Sequence, residues 1–240
     1  MTTVKKHKVV TILDILTFLD KPRQGTESIL DALQNQFSIK PEAADSLMDS
    51  AEELGYIDSD DQITAKGNQY LADCSNAPSE YGVLTLVRGL PGSGKTELGK
   101  KLTEHTKYLK ATVHIESDQF MVDENGQYKF SIDKVKLTNV ECIAQTERYL
   151  RMGYDVVVSN AFAQYWEIRP YYDMAAILGI RTVLVEVQSQ FLSERRSPHT
   201  RQQMVEKWES IFLPRTWHQH SINLLGEPTK GKENEPEPIP

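Results

Sequence analysis

Long apolar runs are absent from the 240-residue chain. No segment approaches the ~20 apolar residues that a membrane-spanning helix needs, so we predict no membrane association. The first twenty residues do place lysines before an apolar stretch, as a secretory signal does, but Asp14 and Asp20 interrupt it and no small-residue cleavage site follows. We interpret this stretch as a folded helix and expect a cytoplasmic protein.

Cysteine is also scarce, with only Cys74 and Cys142 in the sequence. Their separation matches neither a zinc-binding pattern nor a redox motif. This excludes a disulfide scaffold and predicts two reduced thiols, as expected in the cytoplasm.

Basic residues are few in the first third of the chain. Residues 1–80 hold 7 Lys or Arg against 14 Asp or Glu, which accounts for the whole net charge of −7. The segment 41–55 contains no Lys or Arg. Such a surface repels phosphates, so the composition argues against a broad nucleic-acid interface in this region.

The same region shows three helical patterns of apolar residues. They lie at 9–19, 29–37 and 44–54. Pro41 suits the first turn of the third helix and Gly55 suits its end. Apolar residues on both sides of a polar turn then predict a hairpin at 56–64.

The hairpin and the residues after it, GYIDSDDQITAKGNQYLAD at 55–73, resemble the wing of winged-helix domains. The resemblance covers about 70 residues and implies a small α+β domain at 1–75. In DNA-binding members the third helix enters the major groove. Here that helix carries five carboxylates, on Glu42, Asp45, Asp49, Glu52 and Glu53. We therefore favour an interaction module for a protein partner or an oligomer over DNA binding.

Composition divides the chain into four parts. Residues 76–81 are small and polar with a proline, which predicts a linker between a first domain, 1–75, and a second, 82–225. The segment 226–240 is rich in Pro, Glu, Lys and Gly and is predicted to be disordered.

The second domain opens with a glycine-rich phosphate-binding pattern. An apolar β-rich run, 83–87, is followed by GLPGSGKT, which fits G-x-x-x-x-G-K-[ST], and then by a helix pattern from Leu98. This order lets backbone N–H groups and the helix N-terminus bind phosphates. The residues predicted to bind the nucleotide are Gly89, Leu90, Pro91, Gly92, Ser93, Gly94, Lys95, Thr96 and Glu97.

Two side chains of this loop have predicted roles. Lys95 is expected to reach the β- and γ-phosphates of ATP, and the Thr96 hydroxyl is expected to join the shell of a Mg²⁺ ion. The pattern therefore predicts ATP and Mg²⁺ as cofactors, but it does not identify the reaction.

Further βα units predict an α/β fold. Strand patterns lie at 112–115, 155–158 and 181–187. A long helix capped by Ser131 and stopped by Gly153 is predicted between the first two, and a helix at 166–178 follows. Alternation of this kind predicts a parallel, doubly wound sheet flanked by helices, with its chemistry at the carboxyl ends of the strands.

Polar residues that suit phosphoryl transfer follow these strands. Asp118 comes after the second strand and is the candidate general base, and Asn160 follows the third. Three arginines after the fourth strand would form a lid that neutralises the transferring phosphoryl group. The predicted catalytic residues are Lys95, Asp118, Arg195 and Arg196, with Arg201 as a further ATP contact.

Each of these residues has a simpler alternative. Asp118 could cap the helix that follows it, Asn160 could cap the next turn, and the arginines could form a solvated helix face. Arg195 and Arg196 are adjacent, so at most one of them is expected to face phosphate. Five aromatic residues could stack on a base or only pack the rim, namely Phe130, Tyr165, Trp166, Tyr171 and Tyr172.

Six motifs occur along the second domain. They are RGLPGSGKT (88–96), HIESDQF (114–120), GQYKF (126–130), VVVSNAF (156–162), WEIRPY (166–171) and VEKWE (205–209). This series, within 83–213, resembles small P-loop kinases of the polynucleotide-kinase type, and in particular the kinase domain of the NEDD4-binding protein group. The resemblance implies a kinase-like P-loop NTPase that uses ATP and Mg²⁺ to phosphorylate a hydroxyl. It places the general base on Asp118 and the lid arginine on Arg195 or Arg196.

Three positions depart from the family pattern. Gln119 stands where a second Asp is usual, Met121 where the bacteriophage polynucleotide kinase has Arg, and Ser159 where the third strand usually ends in Asp. The resulting hypothesis is transfer of the γ-phosphate of ATP to a polynucleotide 5′-hydroxyl, a nucleotide or a small metabolite. The departures leave a second hypothesis open, a catalytically weak ATP-binding regulator whose winged-helix module binds protein or DNA.

Overall fold

The computed structural model describes residues 9–22, 27–76, 78, 80–106, 110–188, 205–208 and 218–222. The predicted lid residues Arg195, Arg196 and Arg201 and the predicted tail, 226–240, lie outside these ranges. Within them, no helix is both long and apolar enough to cross a membrane.

In the part of the chain that the structure describes, five parallel strands form one sheet. They are β1 (Leu84–Gly89), β2 (Thr112–Ile115), β3 (Asp155–Asn160), β4 (Thr182–Val187) and β5 (His218–Ile222). Their order is β2-β3-β1-β4-β5, and every neighbouring pair is parallel. Strands β1 and β3 are almost entirely buried, which explains their runs of Val and Leu. The carboxyl ends of all five strands therefore lie at one edge of the sheet.

Three helices accompany this sheet. They are α5 (Lys95–Thr106), α6 (Val135–Arg151) and α7 (Tyr165–Leu178). The prediction that Ser131 caps α6 is wrong, because residues 131–134 form a tight turn in which the Lys134 N–H donates to the Ser131 carbonyl oxygen. Ile132 is 77% exposed, and the buried side of α6 begins only at Thr138. The helix thus begins at Val135, with Lys134 at its N-cap.

Four helices form the N-terminal part. They are α1 (Ile12–Leu19), α2 (Ile29–Phe37), α3 (Pro41–Glu53) and α4 (Ala65–Ser75). The first three coincide with the predicted helical patterns. The predicted hairpin is reduced to one antiparallel bridge between Ile57 and Ile63, and the Asp58 carboxylate closes its turn by accepting two backbone N–H groups. We call residues 9–76 the N-terminal module, and its winged-helix nature stays a prediction.

Helix α6 contributes side chains to two hydrophobic cores. Its Cys142 and Leu150 pack with the sheet and α7, whereas its Ala144 packs among apolar side chains of the N-terminal module. All three residues are completely buried. Burial on two faces explains why this helix buries so many residues although its sequence is polar.

Candidate functional site

The phosphate-binding loop joins β1 to α5 in a conformation that requires glycine. Gly92 and Gly94 have φ values of 78° and 90°, in the left-handed region that other residues rarely adopt. The loop is closed by the Ser93 N–H, which donates to the Leu90 carbonyl oxygen at 3.1 Å. Left-handed residues that alternate with ordinary ones turn successive N–H groups toward one concave side, which is the geometry that holds an anion.

A close approach inside the loop explains its first glycine. A Cβ atom on Gly89 would collide with the Ser93 hydroxyl. Ser93 is 1% exposed, and its Oγ has no hydrogen-bond partner among the described residues. Gly89 and Ser93 therefore shape the base of the loop, as the phosphate-binding pattern predicts.

The first turn of α5 carries Lys95 and Thr96 and meets a carboxylate from the neighbouring element. The Thr96 hydroxyl donates to Glu116 Oε2 at 2.7 Å. Glu116 directly follows β2 and is half-buried. Glu116 was not predicted as a site residue, although it directly follows a strand, because Asp118 two residues later was assigned instead.

The Thr96–Glu116 pair fits the oxygen chemistry of Mg²⁺. The ion prefers oxygen ligands and is usually held by one or two carboxylates together with substrate phosphates and water. Among the described residues, no group of three or more His, Cys, Asp or Glu could hold a metal by itself. A magnesium ion would therefore depend on Thr96, Glu116 and the bound nucleotide.

Ser159, at the end of β3, ties the first turn of α5 to the sheet. Its hydroxyl donates to the Lys95 carbonyl oxygen at 3.3 Å and lies 3.0 Å from His114 Nε2. Burial lowers the pKa of His114, against the opposing effect of Glu116. With the serine proton directed at Lys95, the neutral imidazole donates from Nε2. The hydroxyl thus positions α5.

Asp118 lies in a 3₁₀ turn at 117–120, which we call the acceptor-side turn. Glu116 occupies the N-cap position of this turn, so Asp118 is not its N-cap. Ser117 is held twice. Its N–H donates to Asn160 Oδ1 at 3.0 Å and its hydroxyl donates to Asn139 Oδ1 at 2.8 Å. Asn160 therefore holds the acceptor-side turn, a role that was not predicted from the sequence.

Glu97 lies on the exposed face of α5. Its carboxylate is 3.8 Å from Lys101 Nζ, one helical turn later, and the two side chains are about equally exposed. The structure therefore gives Glu97 an exposed ion pair, and its predicted contact with nucleotide stays a prediction.

A buried arginine directly precedes the phosphate-binding loop in the sequence. Arg88 is 1% exposed, and its Nε donates to the Phe162 carbonyl oxygen at 2.8 Å. Its Nη1 lies 3.0 Å from Glu186 Oε2 on β4, and its guanidinium stacks 3.8 Å from the centre of the Trp208 ring. Arg88 thus joins β1, the loop after β3, β4 and the segment 205–208 directly behind the phosphate-binding loop.

The five aromatic candidates divide by exposure. Phe130, Tyr165 and Trp166 are 55%, 41% and 62% exposed, on the segments that follow β2 and β3. Tyr171 is buried in the core, where its hydroxyl lies 3.3 Å from Cys142 Sγ. Tyr172 is half-buried. Stacking on a ligand therefore stays a prediction only for the three exposed rings, Phe130, Tyr165 and Trp166.

A central parallel sheet, a glycine loop leading into a helix, and a carboxylate beside the loop threonine define a P-loop NTPase of the kinase-like type. Residues 84–205 match the family model described as AAA domain. The chain therefore belongs to the AAA domain family.

The solved structures to which part of this chain is similar include two kinases and Kti12. An APS kinase from Mycobacterium tuberculosis in complex with AMPPNP and APS is 16% identical over 62% of this chain and 91% of its own, with a TM-score of 0.44. A gluconokinase from Sinorhizobium meliloti is 18% identical over 59% and 83%, with a TM-score of 0.39. Chaetomium thermophilum Kti12 with ADP-AlF3 is 14% identical over 57% and 88%, with a TM-score of 0.44. Likeness at this level does not identify a substrate.

Proposed function

We propose that the protein is an ATP-dependent phosphotransferase that moves the γ-phosphate of ATP to a hydroxyl group. The observation that carries this proposal is the hydrogen bond of 2.7 Å between Thr96 and Glu116, with Asp118 two residues further along the same segment. One carboxylate thus lies beside the phosphate-binding loop, and a second lies on the turn after it. This division suits phosphoryl transfer, in which one group orients the nucleotide and another receives a proton.

In the proposed reaction, Asp118 accepts the proton of the acceptor hydroxyl. The acceptor oxygen then forms a bond to the γ-phosphorus, the bond from that phosphorus to the bridging oxygen breaks, and ADP leaves. Lys95 contacts the β- and γ-phosphates, and Thr96 with Glu116 would hold Mg²⁺, which supplies charge neutralisation at the phosphate oxygens. Arg195 or Arg196, with Arg201, would complete this neutralisation.

The proposed acceptor is a polynucleotide 5′-hydroxyl, a nucleotide or a small metabolite. One exposed ring near the acceptor-side turn, Phe130, supports the first two. The Met121 N–H donates to the Asp118 carbonyl oxygen at 3.2 Å, and the Met121 carbonyl oxygen accepts from Lys129 at 2.9 Å. Phe130 therefore follows a segment that is hydrogen-bonded to the turn. A flat base can stack on such a ring, and each stacked base contributes about 1–3 kcal/mol.

The test uses γ-labelled ATP, Mg²⁺ and two acceptors, a 5′-hydroxyl oligothymidylate and thymidine 3′-monophosphate. Asp118→Asn is expected to lower transfer by about 10²- to 10⁴-fold, the usual contribution of a general base. Glu124→Gln is the matched control, because this exposed carboxylate lies on the same segment and is expected to leave transfer unchanged. Equal transfer by the Asp118→Asn protein would refute the assignment of the base.

A second function, ATP-dependent regulation with weak turnover, is favoured by Ser159. This position usually holds a carboxylate in the resembling kinases, and here a neutral hydroxyl is committed to the Lys95 carbonyl oxygen. The regulator hypothesis expects ATP binding without efficient transfer, and an ATP-dependent change of oligomeric state or partner binding through residues 1–75. Size-exclusion chromatography with and without ATP distinguishes the two, since a pure phosphotransferase need not change its elution.

A further inference from the structure

Helix α6 faces the acceptor-side turn on one side and the N-terminal module on the other. Residues three or four positions apart share a helix face. Asn139 and Cys142 form one such pair. The first contacts a residue of the acceptor-side turn, and the second contacts a residue that holds this turn. Asn139 accepts from the Ser117 hydroxyl, and Cys142 Sγ lies 3.5 Å from Asn160 Nδ2.

The opposite face of α6 is bound to the N-terminal module through a buried carboxylate. Glu141 is 6% exposed and accepts from the Tyr56 hydroxyl at 3.0 Å. Lys66 Nζ lies 3.5 Å from the other oxygen of this carboxylate, Oε1, and Gln145 donates to the same oxygen at 2.9 Å. A buried carboxylate must keep such partners, because an unpaired buried charge is costly. The contact therefore fixes the position of α6.

The connection between these two faces is short. Glu141 is two residues from Asn139, which is about 3 Å along the helix axis. At the same end of α6, Lys136 contacts the Ser46 hydroxyl on α3. Helix α5, which carries Lys95 and Thr96, packs instead on β1, β2 and β3. The N-terminal module thus adjoins the acceptor side of the site through α6, while the nucleotide side is built on the sheet.

We propose that the N-terminal module is a positioning element of the phosphotransferase, with Glu141 and Asn139 as the positioning residues that transmit its contact to the acceptor-side turn. The proposal depends on the proposed function for the role of Asp118. It implies that loosening the module displaces Asp118 without changing the phosphate-binding loop. A displacement of about 1 Å at a reacting group can lower a rate about 10²-fold.

The experiment uses the full chain with Asn139→Ala and Glu141→Ala, and with Glu147→Ala as the matched control. Glu147 is 4% exposed on the same helix, and it accepts from Thr11 in the N-terminal module and pairs with Arg151. It lies eight residues beyond Asn139, about 12 Å along the axis. Both glutamate variants lose a buried carboxylate at the module, so general destabilisation is expected to be similar in the two.

Amide hydrogen exchange of residues 116–121 and displacement of a fluorescent ATP analogue are the first readouts. Asn139→Ala and Glu141→Ala are expected to raise exchange at the Ser117 amide about tenfold and to change ATP affinity less than twofold, whereas Glu147→Ala leaves this exchange at the wild-type value. If Glu141→Ala does not fold, Tyr56→Phe takes its place, since it removes the same contact from the other side. Equal exchange in all variants, or no change in any, would overturn the proposal.

Turnover is the second readout. With γ-labelled ATP and the 5′-hydroxyl oligothymidylate, Asn139→Ala and Glu141→Ala are expected to lower kcat about tenfold while the KM for ATP stays constant. A fall in ATP affinity that parallels the loss of kcat would overturn the proposal, because it would show a general structural effect. If the wild-type chain transfers no phosphate to any acceptor, the proposed function fails, and the exchange measurement still decides whether α6 positions the turn.

Discussion

Two buried tyrosines offer a matched test of how the N-terminal module is held. Tyr56 and Tyr70 are both essentially unexposed, and their rings pack edge to face with centroids 5.2 Å apart. Each hydroxyl donates to α6 at 3.0 Å, from Tyr56 to the Glu141 carboxylate and from Tyr70 to the Ala144 carbonyl oxygen. Tyr56 differs from Tyr70 in the charge of its acceptor and in a second hydrogen bond, which its hydroxyl accepts from Gln145 Nε2 at 3.0 Å. We predict that Tyr56→Phe destabilises the protein more than Tyr70→Phe does.

The expected magnitudes follow from the acceptors. A hydrogen bond to a charged group contributes about 1.5–3 kcal/mol and one between neutral groups about 0.5–1.5 kcal/mol. In the Tyr56→Phe protein, Glu141 Oε2 loses the bond from Tyr56 and Gln145 Nε2 loses this hydroxyl as an acceptor, while Gln145 and Lys66 still contact the other Glu141 oxygen. The cost is therefore expected within the range of one charged hydrogen bond. The two variants are expected to differ by about 1 kcal/mol.

Urea unfolding followed by circular dichroism measures both free energies. Burial, together with the Glu141 carboxylate, raises the pKa of Tyr56 well above its ordinary value. A folded pKa above the unfolded one means that the stabilisation is complete below about pH 10 and is lost as the pH rises further. The advantage of wild type over Tyr56→Phe is therefore expected to be constant near neutrality and to shrink above that pH. Equal destabilisation by the two variants, or a larger effect of Tyr70→Phe, would refute the reasoning.

Three further predictions follow from single contacts. Glu116→Gln is expected to raise the Mg²⁺ concentration needed for half-maximal transfer about 10- to 100-fold, because Thr96 loses its charged partner, and a magnesium titration measures this. In Gly99→Ala, the new Cβ would collide with the Ser159 hydroxyl, which is expected to lower the free energy of unfolding by about 1–3 kcal/mol. The higher helix propensity of alanine offsets about 1 kcal/mol of this loss, and a urea titration measures the net change. Burial, the largest cause, raises the pKa of Cys74 from its ordinary value of 9.0 to about 12. The thiol is therefore expected to resist iodoacetamide at pH 8 until the chain unfolds. The contribution of the protonated thiol to the stability of the folded protein is expected to fall as the pH rises from 9.0 to 12.

The parts of the fold that local patterns determine were predicted correctly. The β1 strand, the glycine loop and α5 follow from one apolar run, one motif and one helical stripe. The start of α6 was wrong, because Ser131 has the right chemistry for a cap but the buried face begins only at Thr138. Strand β5 was not predicted, since HQHSI lacks the apolar run of a buried strand. Its place depends on pairing with β4, which a single segment does not reveal.

The candidate site was predicted where a motif identifies the residue and missed where only tertiary contact does. Lys95 and Thr96 belong to a motif. Glu116 and Arg88 gain their roles from partners that are distant in the sequence. Glu116 accepts from Thr96, and Arg88 donates to the loop after β3. No spacing rule links such pairs. The burial of Arg88 was equally unpredictable, because an arginine is almost never buried unless the fold supplies acceptors for it.

Two of the three departures from the pattern of the resembling kinases, Ser159 and Met121, bear on different halves of the proposed reaction. Ser159 lacks a carboxylate, but Glu116 supplies one at the loop threonine, so the nucleotide side keeps the oxygen chemistry that Mg²⁺ needs. Met121 is 2% exposed, so its side chain belongs to the interior and offers no cation to an acceptor phosphate. If the proposed reaction occurs, the change at Met121 therefore alters the choice of acceptor rather than the handling of ATP. We therefore expect thymidine 3′-monophosphate and the oligothymidylate to be labelled to different extents, while the affinity for ATP stays constant.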